Sequence, residues 1–166
     1  EALLRQKDQS PSGEQLGEAV WALNEKLEER LDEGYGACLL REDAAANIVE
    51  GALKHFDGDR YWLGSYVIMP NHVHALVRPV MGHQLSKIMH SWKSFTAHEI
   101  NRTLGRKGTI WEDESFDHIV RDEHQLERFG RYIAENPVKA RLPSGKYRQG
   151  GGEAWRSPEG SGADVP

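Results

Sequence analysis

This 166-residue chain is poor in cysteine, poor in aromatics and without any long hydrophobic run. A single thiol, Cys38, excludes an internal disulfide framework and a multi-cysteine zinc site, and fits a reducing cytoplasmic setting. No stretch approaches the roughly 18–20 apolar residues of a spanning helix, and no secretory signal is visible. Methionine is missing from position 1, where Glu1 stands, so a fragment without its natural N-terminus is expected. A basic excess is missing too: 21 Lys+Arg face 26 Asp+Glu, a formal net charge of −5. Taken alone, that total argues against a nucleic-acid partner. The hydrophobic fraction of 38% suffices for one domain core and predicts that part of the chain is loose.

The charge is unevenly spread. Residues 1–60 hold 14 acids and 7 bases, whereas residues 61–111 hold 1 acid and 6 bases. Residues 112–142 turn acidic again, with 8 acids and 5 bases. Local sign matters more to a phosphate than the molecular total, so the middle third is expected to present a basic surface.

The chain divides into a mobile lead-in (1–16), a folded part (17–142) and a flexible Gly/Ser/Pro-rich tail (143–166). Helical spacing of Ala19, Leu23, Leu27 and Leu31 predicts a helix over 17–33. A second helix is expected over 43–56, capped by Asp43, with Ile48, Val49, Ala52, Leu53 and Phe56 facing inward. Aromatic and β-branched content predicts a strand over 61–68, and Met69-Pro70-Asn71 breaks it. A second strand, antiparallel to the first, is expected over 72–77. Leu85, Ile88, Met89, Trp92, Phe95, Ile100 and Leu104 mark the apolar face of a long helix over 84–104. Alternation predicts a short strand over 116–120. Asp122 and Gln125 read as a capping box for a helix that Pro137 ends.

Three groups of residues bear chemistry. His72 and His74, at i and i+2 of a strand, point to one face about 7 Å apart along the backbone. They can converge on one divalent cation, although a histidine pair that only packs has the same spacing. Tyr132 and Asn136 lie about 40° apart on a helix, at one edge of the stripe set by Leu126, Phe129 and Ile133. That edge suits a phenol opening into a cleft, and it equally suits a boundary tyrosine that packs its ring. Ser115, Asp117 and His118 hint at a hydrolase triad, but strand alternation puts His118 on the opposite face and no Gly-rich elbow surrounds the serine. Glu112-Asp113-Glu114 reads as a solvated turn.

Taken in order, several stretches resemble the HUH-type single-tyrosine transposases, most closely the REP-associated tyrosine transposases. They are Tyr66-Val-Ile-Met-Pro-Asn-His-Val-His-Ala-Leu-Val, Trp92-Lys-Ser-Phe-Thr, Trp111-Glu-Asp-Glu-Ser-Phe-Asp-His-Ile-Val-Arg and Tyr132-Ile-Ala-Glu-Asn-Pro-Val-Lys-Ala. The similarity spans about residues 37–142.

The resemblance implies an α+β fold: a ferredoxin-like sandwich whose antiparallel sheet carries the HUH strand, with helices on one face. It further implies Tyr132 as nucleophile and His72, His74 and Asn136 as ligands of Mg²⁺ or Mn²⁺. The expected activity is cleavage and joining of single-stranded DNA at hairpin-forming repeats through a 5′-phosphotyrosine. Lys87, Lys93, Arg102, Arg106 and Lys107 are expected to track DNA phosphates. Trp92 is expected in the core, and if exposed could stack on a base.

Two departures stand out. The family's first strand, rich in Phe, Val and Thr, is not found before residue 17, so a truncated sheet is expected. The family's usual Trp-Gln is Trp111-Glu112 here. Related insertion-sequence enzymes work as dimers, so a homodimer is among the expected states. Two other readings compete: a domesticated or truncated copy that binds DNA hairpins without cutting, and an unrelated metal hydrolase built on His72 and His74.

Overall fold

The computed structural model describes residues 37–113, 115 and 117–152. The expected lead-in and the helix over 17–33 lie outside these residues. Within them the chain is α+β, with three α-helices and a three-stranded antiparallel sheet.

Helix α1 spans Asp43–His55 and buries Ala45, Ala46, Val49, Ala52 and Leu53. Its N-cap is Glu42 rather than Asp43, and no side chain caps it. The Asp43 carboxylate instead pairs with Arg148 at 3.0 Å, which is why it is not available to the helix end.

Strand β1 (Tyr61–Ile68) and strand β2 (Val73–Pro79) form an antiparallel hairpin, with Ile68 opposite Val73 and Tyr61 opposite Pro79. The register shifts between Leu63 and Tyr66, so Gly64 and Ser65 together oppose Leu76. This bulge resets the alternation. Tyr61, Leu63, Tyr66 and Ile68 therefore all join the core beneath α1, while Val67 and Met69 face the other way.

Helix α2 spans Leu85–Thr103 and buries Ile88, Thr96 and Ile100 against α1 and β1. Each large side chain so buried contributes about 1.5–3 kcal/mol. Trp92 packs on this core as expected, and its indole Nε1 donates to Tyr61 Oη at 3.0 Å. Phe95, expected inside, is 53% exposed. Thr96 takes the inner position, because its hydroxyl donates to the Trp92 carbonyl at 2.7 Å and accepts from Trp111 Nε1 at 2.8 Å.

Helix α3 spans Glu123–Lys139. Asp122 caps it by accepting from the Gln125 amide at 2.7 Å, and Gln125 Oε1 accepts from the Arg121 amide at 3.1 Å. The capping box is thus closed one residue early. Pro137 does not end the helix but sits inside its last turn. Only one intrahelical donor is lost there, and Ala140, Arg141 and Leu142 return their amides to Asn136, Val138 and Pro137.

No strand forms over residues 117–120. Both neighbours of β1 are already supplied, by β2 and by β3 (Arg148–Gly151). Strand β3 falls in the segment expected as flexible tail. It pairs Ile68 with Arg148 and Ser65 with Gly151, and its glycines are what admit it. A Cβ on Gly150 would stand 2.6 Å from Tyr66 Oη, and one on Gly152 would collide with the Leu63 carbonyl.

The layers differ from the one-sided arrangement expected. Helices α1 and α2 cover one face of the sheet. Helix α3 covers the other, where Ile133 packs on Val67 and Met69 beside Leu76, Tyr132 and Tyr147.

Candidate active site

The β1–β2 turn sets the histidines. The Met69 amide donates to the His72 carbonyl at 2.9 Å, and the Leu40 amide to the Pro70 carbonyl at 3.0 Å, which holds the Pro70-Asn71 bend in place. Along β2, Val73, Ala75 and Val77 pack toward α1 and α2, while Leu76 packs toward α3. Strand alternation therefore turns His72 and His74 to the α3 face. Their rings meet edge to face, with centroids 4.8 Å apart.

His72 Nδ1 is 2.8 Å from Asn71 Oδ1, an acceptor, so Nδ1 carries the proton and Nε2 carries the lone pair. Burial, and secondarily the neighbouring His74, lowers the His72 pKa to about 3. Burial lowers that of His74 to about 4. Both imidazoles are thus neutral near pH 7, the form that binds a metal ion.

Helix α3 brings up the other half. Tyr132 stands edge-on to His74, with centroids 5.5 Å apart. Asn136, one turn later, is 1% exposed. Its Nδ2 donates to Tyr132 Oη at 3.0 Å and lies 3.4 Å from His74 Nε2. Its Oδ1 is buried and accepts no hydrogen bond among the described residues. An unspent buried acceptor costs free energy unless something coordinates it. Because a half-turn of the amide exchanges Oδ1 and Nδ2, that oxygen can face His74.

Among the described residues no three His, Cys, Asp or Glu side chains converge, and the amide of Asn136 lies beside the histidine pair, 3.4 Å from His74. Two nitrogen ligands and one oxygen suit a hard or borderline divalent cation. His72, His74 and Asn136 fit such an ion on the strength of the orphaned oxygen and the neutral imidazoles.

Other sequence candidates fall elsewhere. Tyr66, a conceivable alternative nucleophile, is buried on the α1 face with its hydroxyl donated to Glu50 at 2.7 Å. His118 stacks on Phe129, with Ser115 and Asp117 exposed, so no triad assembles. Glu112 is exposed and offers only its carbonyl, to Lys93 at 2.7 Å.

The five cations expected on DNA all belong to α2 or the loop after it, the layer opposite the histidines. Lys93 is engaged with the 112–113 backbone and Arg102 pairs with Glu99 at 2.6 Å. Lys87, Arg106 and Lys107 are exposed on that same layer. These five cations therefore lie on the layer opposite the histidines, while the sixth base of the middle third, Arg78, stays on β2 with the alternation of His74 and Leu76. A cation that charge counting passed over does stand beside the phenol. Lys139 Nζ lies 5.0 Å from the Tyr132 ring centroid. The signal was its position seven residues, or two turns, after Tyr132.

The family model described as IS200-like transposase matches residues 40–136, a span that runs from the turn before α1 to the buried Asn136. No curated protein and no solved structure gives a significant match.

Proposed function

The chain belongs to the IS200-like transposase family, and from that premise we propose that it cuts and rejoins single-stranded DNA through Tyr132. Membership supports a DNA-acting transposase in general terms. The finer reading rests on one observation: the Asn136 amide touches both Tyr132 Oη, at 3.0 Å, and His74 Nε2, at 3.4 Å. A nucleophile and a candidate metal-ligand set thereby share one small volume.

In this reading His72, His74 and Asn136 hold Mg²⁺ or Mn²⁺, which when bound withdraws charge from the scissile phosphate. Tyr132 Oη gives its proton to water and attacks phosphorus, and the P–O3′ bond breaks. The 3′ oxygen takes up a proton to become the 3′-OH, and the 5′-phosphate stays esterified to the tyrosine. The ester preserves the phosphodiester bond energy for rejoining. Asn136 keeps the phenol beside the histidines, and Ile133, Val67 and Met69 hold the helix that carries both. Hairpin-forming repeats are the substrates that the ordered motifs resembling REP-associated enzymes point to.

The test is a covalent adduct on a labelled single-stranded hairpin substrate with Mg²⁺ or Mn²⁺. Wild type should form it and Tyr132→Phe should not. An adduct that survives the substitution would move the nucleophile elsewhere. Hairpin binding without cleavage by the wild type would select a binding protein.

A further inference from the structure

At the opposite end of the β1–β2 hairpin from His72 lies a cavity of about 330 Å³ between the start of β1 and the first turns of α2. Its lining includes Phe56, Arg60, Tyr61, His83, Lys87 and Trp92, and no carboxylate. Seven residues of β1 separate Tyr61 from Ile68, about 23 Å at the usual rise. The cavity is therefore not part of the histidine site.

Its two sides differ in chemistry. One wall is aromatic and rigid. Tyr61 and Trp92 meet edge to face at 4.9 Å, and their polar atoms are spent on each other and on the Leu53 carbonyl, at 3.0 and 2.8 Å. Tyr61 is itself buried, so of the two it is Trp92, half-buried with its indole N–H already spent, that offers ring surface to the cavity. The rim is cationic. The Arg60 guanidinium carbon stands 3.6 Å from the Phe56 ring centroid, a cation on an aromatic face at the edge of the cavity. Lys87 is exposed on the adjoining turn of α2. The nearby acid Asp57 is turned away, its Oδ1 accepting from the Leu63 amide at 2.8 Å.

An indole face beside a guanidinium and an ammonium matches a nucleotide, with the base against Trp92 and the phosphate on the cations. We propose that this cavity is a second DNA-contact site that seats one nucleotide of a single strand, its phosphate held by Arg60 and Lys87. The assignment goes beyond the cleavage reading and stands or falls separately from the role of Tyr132. It also gives Lys87 a defined place in binding, on the layer that the catalytic geometry leaves unused.

The experiment uses the full chain and a single-stranded oligonucleotide carrying 5-iodouracil, photocrosslinked and mapped by mass spectrometry, with anisotropy titrations across a salt series. Wild type should crosslink within 56–61 or 82–92. Arg60→Gln/Lys87→Glu should weaken binding roughly tenfold and reduce the salt slope by about 0.7, the value for one single-strand phosphate. Lys87→Glu alone, at an exposed position, should give a smaller loss in the same direction, with thermal melting checking the fold of both variants. Crosslinks confined to 72–74 and 132–136, or a double variant binding within twofold of wild type, would overturn the proposal. So would free dTMP blocking the crosslink as well as an equal concentration of oligonucleotide, since the cavity would then belong to free nucleotides.

Discussion

Asn136 Nδ2 donates to Tyr132 Oη across 3.0 Å, one helical turn apart, on the helix that covers the histidine face of the sheet. The same side chain buries an oxygen that no described residue satisfies. One amide thus has two claims on it, and removing it separates them. Asn136→Ala should weaken Mn²⁺ binding at least tenfold, read by calorimetric or paramagnetic titration. Binding as tight as in wild type would take Asn136 out of the ligand set.

The buried histidines predict an acid-sensitive fold. Their pKa values, about 3 for His72 and about 4 for His74, lie below the ordinary 6.5 that the unfolded chain recovers. Between these limits the unfolded state binds more protons, so stability is full above pH 6.5 and falls as pH drops toward 4 and then 3. The slope approaches about 1.4 kcal/mol per pH unit for each histidine. Glu50, lowered first by its hydrogen bond to Lys54 and then by that from Tyr66, adds a loss of the same sign below its usual 4.5. Urea unfolding of the metal-free protein at stepped pH would show the decline from pH 6.5. A flat profile down to pH 5 would contradict the burial assigned to the pair.

Strand β3 depends on Gly150. An alanine methyl there would press on Tyr66 Oη and compete with its 2.7 Å hydrogen bond to Glu50. Gly150→Ala should cost about 1–3 kcal/mol in denaturant unfolding. It should also speed amide exchange selectively over Arg148–Gly151. Uniform exchange across the sheet would mean that β3 is not held through this contact.

Arg141 follows the C-cap of α3 in the left-handed region, at φ 53°. A side chain is strained there and glycine is not. Arg141→Gly should raise stability by about 0.5–1 kcal/mol in thermal or urea melts, and an unchanged or lower midpoint would refute the strain.

Local pattern carried much of this far. The period-two pair His72 and His74 and the one-turn spacing of Tyr132 and Asn136 each follow from geometry that a few residues define, and the structure displays both. Helices α1 and α2 and the β1–β2 hairpin fall where periodicity puts them. What failed were readings that need a partner. Alternation over 116–120 looked like a strand, but a strand exists only where a neighbour has open hydrogen bonds. The glycines at 150–152 looked like slack, yet they let this segment approach Tyr66 and Leu63. Pro137 looked like a stop, and in the last turn it forfeits only one bond.

Sequence by itself determined that His72 and His74 share one strand face and that Tyr132 and Asn136 share one helix edge, because those relations span four residues or fewer. Only the tertiary structure decided that α3 crosses to the face opposite α1 and α2, which sets Asn136 3.4 Å from a histidine 62 positions earlier. It likewise decided that the basic helix α2 lies on the far layer, where charge counting could not place it. Both depend on which side of the sheet a helix buries its apolar stripe. The bulge at Gly64-Ser65 and the inward faces of Val67 and Met69 govern that choice through packing, and no local period reports it.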